Sequence, residues 1–148
     1  MALAERKEVI DLPIESLFET IKNYSEYPQF VNGMKDTKII ETKIDGTKHV
    51  AFDMDLIKRV QYTVAIKDQI NESKTEARVE WSLVSSEALK VSNGLWVLKS
   101  MGPQKTEVTY RLEVDFHFPV PGFVLKGLIA TSMPLAIQEF KNRAARIK

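Results

Sequence analysis

Residues 107–118 read Glu-Val-Thr-Tyr-Arg-Leu-Glu-Val-Asp-Phe-His-Phe, a run in which apolar or aromatic side chains alternate with polar ones. Alternation with a period of two predicts a β-strand that buries one face and exposes the other. The run is the most regular strand pattern in the chain, and the elements around it can be assigned from the same periodicities.

The segment that follows, 122–147, changes to a helical period. Its apolar side chains recur at helical spacing, at Val124, Leu128, Ile129, Met133, Ile137, Phe140, Ala144 and Ile147. Pro134 lies inside this pattern and is expected to kink the helix or break it in two, because proline lacks an N–H and clashes with the preceding turn. The segment therefore predicts a long C-terminal helix.

Five segments upstream also alternate, namely 37–44, 50–56, 59–67, 76–83 and, less regularly, 88–99. Asp45-Gly46 predicts a hairpin, and Asn93-Gly94 indicates a bulge or a close backbone approach inside the last of these strands. Residues 5–12 predict a short first strand and 13–24 an amphipathic helix that begins with Pro13. A second short helical turn, capped by Ser25, completes the N-terminal part.

Consecutive strands joined by tight turns predict an antiparallel sheet with one dry face. A twisted sheet of this size curls, and only the last helix is long enough to cover its concave face. We therefore expect an α+β fold over residues 1–148 as a single domain. It would contain a curved seven-stranded antiparallel sheet, two short N-terminal helices and a long C-terminal helix packed across the concave face.

The composition excludes several classes of site. A net charge of +1 over 148 residues argues against nucleic acid as a main partner. The chain has no cysteine and only two histidines, His49 and His117, which excludes disulfides, thiolate metal sites and a histidine-rich metal site. The N terminus is charged where a signal peptide would be apolar, and no stretch approaches the ~20 apolar residues of a membrane span. We expect a cytoplasmic protein without a cofactor.

The inward side chains of the strands are rich in aromatic residues and methionine, which is typical of adaptable apolar pockets. The same stripe would also form if it simply packed against the last helix, and the residues alone favour that simpler interpretation. If a cavity is present, the expected ligand-binding residues are Phe30, Phe52, Met54, Tyr62, Trp81, Trp96, Leu98, Tyr110, Leu112, Phe116, Phe123, Leu128, Met133 and Ile137.

The predicted interior carries little catalytic chemistry. Tyr62 and Tyr110 are the inward hydroxyls, and tyrosine is a weak acid near neutral pH, so we expect them to anchor a headgroup or a backbone partner. The strands' charged side chains are expected to face solvent, at Asp53, Asp55, Glu113, Asp115 and His117. Since no triad order, phosphate loop or metal spacing is present, we expect no catalytic residue.

Residues 118–134 contain three prolines and two glycines, which weaken a helix. Two interpretations stay open for this segment. It forms either a movable lid, in which Phe123 opens a cavity or touches a membrane, or a kinked buried helix.

Short motifs connect the chain to a known family. Residues 24–31, Tyr-Ser-Glu-Tyr-Pro-Gln-Phe-Val, and 93–98, Asn-Gly-Leu-Trp-Val-Leu, resemble the tyrosine–proline–x–phenylalanine segment and the glycine–x–tryptophan strand of one branch of the START-like, or helix-grip, superfamily. That superfamily includes the birch-pollen-allergen-like proteins, and the branch is the polyketide cyclase/dehydrase and ubiquinone-binding-protein-like one. Residues 140–144 are similar to the end of its last helix. The chain departs from the branch at 32–34 and 87–89, where the family's cavity mouth would lie.

The resemblance favours a cavity between the sheet and the C-terminal helix. It implies non-catalytic binding or transport of a hydrophobic small molecule, such as a quinone, an isoprenoid or a lipid. Transient membrane contact is the separate hypothesis raised by residues 118–134. Two alternatives stay open. One is a cyclase or dehydratase enzyme acting on a polyketide-like substrate. The other is a ribosome- or protein-interaction module, because the branch includes a ribosome-associating toxin.

Overall fold

The structure, a computed structural model, describes residues 2–55 and 57–146, and of Ala2 it describes the backbone alone. Leu56 and Ile147, which the sequence assigns to a strand and to the last helix, lie outside the described residues. The elements are β1 (Ala2–Ile10), α1 (Ile14–Lys22), a 3₁₀-helix (Tyr24–Gln29), β2 (Met34–Thr42), β3 (Lys48–Asp55), β4 (Arg59–Ile70), β5 (Glu76–Ser86), β6 (Leu89–Gly102), β7 (Lys105–Phe116) and α2 (Gly122–Ala144).

Within the described residues, the strands form one seven-stranded sheet in the order β1-β7-β6-β5-β4-β3-β2. Strands β2 to β7 follow each other as an antiparallel meander, and β1 returns to pair with β7, where Ala4 lies opposite Leu112. This arrangement confirms the predicted α+β fold, with its seven-stranded antiparallel sheet, two short N-terminal helices and long C-terminal helix. No helix among these residues is long and apolar enough to cross a membrane.

Several element bounds differ from the prediction. β1 ends at Ile10, and Leu12 lies beyond the strand, where it is buried and its carbonyl accepts a 2.8 Å hydrogen bond from the Thr106 hydroxyl. A buried loop carbonyl satisfied in this way does not need a strand partner, and sequence periodicity cannot detect that. Ser25 lies inside the 3₁₀-helix and does not cap it, because the helix begins earlier, at Tyr24.

Of the two outcomes expected at Pro134, a kink or a break, the break is wrong, because α2 continues through the proline over Gly122–Ala144. Proline removes the hydrogen bond to the carbonyl four residues earlier, here that of Ala130. Ala130 is on the exposed side of the helix, where solvent can satisfy that carbonyl. Buried side chains before and after the proline, Met133 and Ile137, hold both halves of the helix against the core.

Two clusters of buried side chains hold α2 against the sheet. One joins α1, the 3₁₀-helix and the second half of α2, and includes Leu17, Tyr24 and Phe140. The other joins the end of β7 to the first half of α2 through Phe116 and Leu125. Each fully buried side chain of this size stabilises the fold by roughly 1.5–3 kcal/mol. Both clusters contribute residues to the cavity described below.

A close backbone approach on β6 positions one of the tryptophans. Gly94 lies directly opposite Trp81 of β5, and a Cβ atom at Gly94 would lie 1.9 Å from Cζ2 of the indole. The absence of a side chain at this position therefore allows the Trp81 ring to lie across β6. The close approach predicted for Asn93-Gly94 is confirmed.

We expect Gly94→Ala to lower the free energy of unfolding by about 1–3 kcal/mol, the usual cost of overpacking. Gly127→Ala is the matched control, because no heavy atom lies within 4 Å of a Cβ at Gly127. In an exposed helix, alanine is more stable than glycine by roughly 0.5–1 kcal/mol. Urea denaturation measures both variants. A Gly94→Ala protein as stable as the wild type would contradict the packing described for Trp81.

Candidate ligand-binding cavity

A cavity of about 380 Å³ lies between the inner face of the sheet and α2. Its walls come from the 3₁₀-helix and the loop after it, from strands β2 to β7 and from α2. The volume falls within the ~300–1,000 Å³ typical of small-molecule sites. The inner stripe of the sheet is therefore not wholly filled by the last helix, contrary to the simpler interpretation of the sequence.

The structure separates the predicted ligand-binding residues into two groups. Those that line the cavity are Phe52, Met54, Tyr62, Trp81, Trp96, Tyr110, Leu112 and Leu128. Those that do not are Phe30, Leu98, Phe116, Phe123, Met133 and Ile137. Ligand contact by the first group stays a prediction.

The residues outside the cavity have clear structural roles. Leu98, Phe116, Met133 and Ile137 are buried in the core, where they have no free space beside them to offer a ligand. Phe30 packs edge-to-face on Phe140 with ring centroids 5.1 Å apart.

Phe123 differs from these residues because it lies on the surface. It is 80% exposed in the first turn of α2. The side chain therefore points away from the cavity, and any role for it is at the exterior of the protein.

Helix α2 lines the cavity with two residues of its buried contact stripe, Ile129 and Phe140, and with side chains that flank the stripe. Met133 and Ile137 lie on the stripe and touch the core. The flanking residues that line the cavity recur at a spacing of three or four, at Leu128, Thr131, Ser132, Leu135, Ala136 and Glu139. The sequence pattern identified the buried stripe, and only the packing shows which neighbouring stripe faces free space.

Aromatic rings form much of the cavity wall. Trp96 stacks on Tyr110 with centroids 4.1 Å apart, and its edge meets Phe140 at 5.2 Å. On the neighbouring strands, Phe52 and Tyr62 are 5.4 Å apart. Both tryptophans of the chain, the second being Trp81, line the cavity, so the intrinsic fluorescence of the protein reports on it.

Several hydroxyl groups in the wall are weakly engaged or have no partner among the described residues, among them those of Tyr62, Tyr110 and Ser92. The Tyr62 hydroxyl donates to Met54 Sδ at 3.3 Å, which is a weak acceptor. The hydroxyls of Tyr110 and Ser92 have no hydrogen-bond partner among the described residues, although Ser92 is only 4% exposed. Burial raises the pKa of both tyrosines, which keeps them protonated at neutral pH. These groups remain available to a ligand.

Two carboxylates lie at one side of the cavity, next to the loop that follows the 3₁₀-helix. Glu139 Oε2 accepts the backbone N–H of Asn32 at 2.8 Å, and the N–H of Asp55 donates to the Gly33 carbonyl, also at 2.8 Å. Burial raises the pKa of Glu139, and the Asn32 hydrogen bond opposes the rise. Asp55, expected to face solvent only, is half exposed and lines the cavity as well.

The loop is held in place by the conformation of one glycine. Gly33 has a φ of +83°, and a Cβ there would lie 2.7 Å from the Asp55 carbonyl oxygen. Asn32 and Met34 on either side of it line the cavity, as does Leu89 at the start of β6. The two segments that depart from the family pattern therefore both contribute to the cavity wall.

Sequence reasoning missed Ser92, Glu139 and Asn32. Ser92 has the same strand parity as Gly94 and Trp96, so the alternation contained the signal that it points inward. Glu139 follows Leu135 at helical spacing, which indicates a shared face. A charged side chain on a helix usually faces solvent, so its place in the cavity wall was not expected. No local signal identifies Asn32, which acts through its backbone N–H. Among the described residues, no group of three or more His, Asp or Glu side chains is placed to hold a metal ion.

Comparison with known proteins places the chain in a family. The model of the family described as "Polyketide cyclase / dehydrase and lipid transport" matches residues 10–141. The chain belongs to this family. It is also 20% identical to the ribosome association toxin RatA of Pseudomonas aeruginosa over 150 residues, which covers 97% of this chain and 95% of the relative.

Solved structures share the fold. A START superfamily protein from Mycobacterium smegmatis superposes with a TM-score of 0.84 at 16% identity, and covers 99% of both chains. Human StAR-related lipid transfer protein 5 gives a TM-score of 0.85 at 11% identity, over 98% of this chain and 76% of that one. At these identities the likeness establishes the fold alone, and it confirms the helix-grip fold that the sequence resemblance implied.

Two buried hydroxyls provide a test of the cavity. The Thr106 hydroxyl donates a hydrogen bond to the Leu12 carbonyl, whereas the Ser92 hydroxyl has no partner among the described residues. We expect Ser92→Ala to change the free energy of unfolding by less than about 0.5 kcal/mol, since it removes no protein hydrogen bond. Thr106→Val should cost about 1–3 kcal/mol, because it leaves the buried Leu12 carbonyl unsatisfied. Chemical denaturation compares the two. A large loss in Ser92→Ala would show that this hydroxyl serves the fold rather than the cavity.

Proposed function

We propose that the protein binds a hydrophobic small molecule, such as a quinone, an isoprenoid or a lipid, in the cavity between the sheet and α2, without catalysing its conversion. The observation that carries this proposal is the 380 Å³ cavity, whose wall is mostly aromatic and aliphatic and includes hydroxyls that have no partner in the described part of the chain. A family description that includes lipid transport agrees with it.

The energetics limit the affinity to be expected. Ten ligand carbons buried at ~0.8 kcal/mol each would contribute about 8 kcal/mol. That sum corresponds to a Kd of about 1 μM before the cost of association is subtracted. A ten-carbon probe should therefore bind with micromolar or weaker affinity, and assays must reach high micromolar concentrations.

Catalysis has weaker support than binding. A cyclase or dehydratase reaction needs a group that accepts a proton from the substrate inside the cavity. Burial keeps the hydroxyls of Tyr62 and Tyr110 protonated, so they act as donors rather than bases. The carboxylates in the wall are engaged, because Glu139 accepts the Asn32 N–H and Asp55 lies 3.4 Å from Lys35 Nζ. Their arrangement favours holding a headgroup over reacting with it.

The proposal is tested by filling the cavity. Ala136 lines it from α2, so Ala136→Phe should occupy the space that a ligand needs. We expect the wild type to bind the neutral dye N-phenyl-1-naphthylamine and a decyl-substituted benzoquinone, with quenching of Trp81 and Trp96. Ala136→Phe should weaken both at least tenfold.

Ala130→Phe is the matched control, because Ala130 lies on the exposed side of the same helix. It should bind both probes as the wild type does, and circular dichroism checks that each variant is folded. Equal binding by the two variants would show that the probes sit elsewhere, and no binding by the wild type would contradict the proposal.

Membrane contact is a further proposal that rests on Phe123. This side chain is exposed in the first turn of α2, a turn without acidic residues, and exposed Lys126 follows it. We expect Phe123→Asp to reduce co-sedimentation with anionic liposomes several-fold. Met101→Asp, which changes an exposed methionine on the β6–β7 hairpin, should have no effect. An equal effect of both substitutions would contradict a specific contact at α2.

Ribosome association is the second candidate function, and the RatA relative, which matches almost the full chain, is the observation that favours it. Such an interaction would use the outer surface rather than the cavity. If it is the main function, the protein will co-sediment with ribosomes, and the cavity-filling Ala136→Phe variant will do so equally well.

A further inference from the structure

The cavity wall is asymmetric in charge. Among the described residues that line it, Asp55 and Glu139 are acidic, and there is no lysine, arginine or histidine. Both residues lie beside the Asn32–Gly33 turn, since the Glu139 carboxylate accepts the Asn32 N–H and the backbone N–H of Asp55 donates to the Gly33 carbonyl. Any polar head placed at this side of the cavity therefore meets negative charge.

Glu139 has no compensating cation among the described residues. Arg143 lies one turn further along α2, at a spacing that puts it on the same face, but its guanidinium donates to Glu26 and to Gln29 of the 3₁₀-helix. The polar contact of Glu139 is the Asn32 N–H, and burial raises its pKa. Burial, and to a smaller extent the negative charge of Glu139, raises the pKa of Tyr110, which lines the same cavity.

Asp55 is partly compensated. Lys35 Nζ lies 3.4 Å from Asp55 Oδ2, and both side chains are about half exposed. Lys35 itself does not line the cavity. The lysine therefore reduces the charge at the mouth without offering a cation to a ligand inside.

The remaining polar groups of the wall can both donate and accept. The hydroxyls of Tyr110 and Ser92 lack protein partners among the described residues, and the Ser92 residue is more than nine-tenths buried. A hydroxyl or an amine can donate to Glu139 and also pair with these groups. A carboxylate or phosphate could not donate to Glu139, and it would bring a second negative charge into a poorly solvated space.

We propose that the cavity selects an amphiphile whose head is uncharged or cationic and donates hydrogen bonds, as an alcohol, phenol or amine does, and that it rejects carboxylate and phosphate heads. This inference rests on the proposed function, because it names the chemical class of ligand for the same cavity. It favours a neutral isoprenoid or phenolic lipid over a fatty acid or a phospholipid.

Three probes with one tail and different heads test the inference, namely 1-decanol, decylamine and decanoate at pH 7.5. Each is titrated against wild-type protein loaded with N-phenyl-1-naphthylamine, below its own micelle concentration. We expect decanol and decylamine to displace the dye at concentrations at least tenfold lower than decanoate. If decylamine displaces the dye at a lower concentration than decanol, the preferred head is cationic. If decanol does so at the lower concentration, the preferred head is neutral.

Glu139→Gln and Asp55→Asn, singly and combined, identify the source of the selectivity. The side-chain amide oxygen that the first substitution introduces can still accept the Asn32 N–H, so the loop contact is kept. In the wild type, decanoate should need at least a tenfold higher concentration than decylamine to displace the dye. In the double variant, that ratio should fall below about threefold. Glu113→Gln, which removes a carboxylate from the outer face of the sheet, should leave that ratio as in the wild type.

The outcomes separate the two proposals. If neither the dye nor any decyl compound binds, the proposed function fails. If all three compounds displace the dye equally, or decanoate does so best, hydrophobic binding stands and the head selectivity is overturned. An unchanged ratio in the double variant would likewise overturn the assignment to Glu139 and Asp55.

Discussion

A helix can touch a concave sheet along only one stripe of its surface, and this geometric constraint determines most of the features described here. The apolar inner face of the sheet must be covered, and α2 covers it through Leu125, Met133, Ile137 and Ala144. Beside that stripe the sheet and the helix diverge. The space between them is the cavity, so the contact that stabilises the fold also creates the binding site.

The strands and their facing residues were largely predictable, because a period of two assigns each side chain to a face once the pattern is recognised. Tyr62, Trp96 and Leu112 were placed correctly in the cavity wall for this reason. The direction that each side chain of α2 faces was harder to predict. Met133 and Glu139 lie on adjacent stripes, and which stripe meets the core and which meets free space depends on how the helix is docked. The continuity of α2 at Pro134 likewise follows from burial on both sides of the proline, which local sequence does not encode.

The polar groups of the interior fall into two sets, those that hydrogen-bond to the protein and those that have no partner among the described residues. Thr106 and Tyr24 are buried with committed partners, the Leu12 carbonyl and the Asp68 carboxylate, and these bonds belong to the scaffold. Ser92 and Tyr110 are placed in the cavity wall without partners among the described residues. The family and its structural relatives establish the scaffold, whereas these uncommitted groups and the two carboxylates near Asn32 are the polar chemistry that the cavity offers. What the protein does therefore has to be argued from the second set.

Among the described residues, the side-chain links between α2 and the 3₁₀-helix and its loop all lie beyond Pro134, where Arg143 reaches Glu26 and Gln29 and Glu139 accepts the Asn32 N–H. In mechanical terms α2 is a beam clamped at its C-terminal end. The segment before the proline is held differently, because Leu125, Ile129 and Met133 pack there in a buried apolar cluster with the sheet. Any opening at this end would therefore expose apolar surface, while the polar links and the aromatic packing around Phe140 would stay intact.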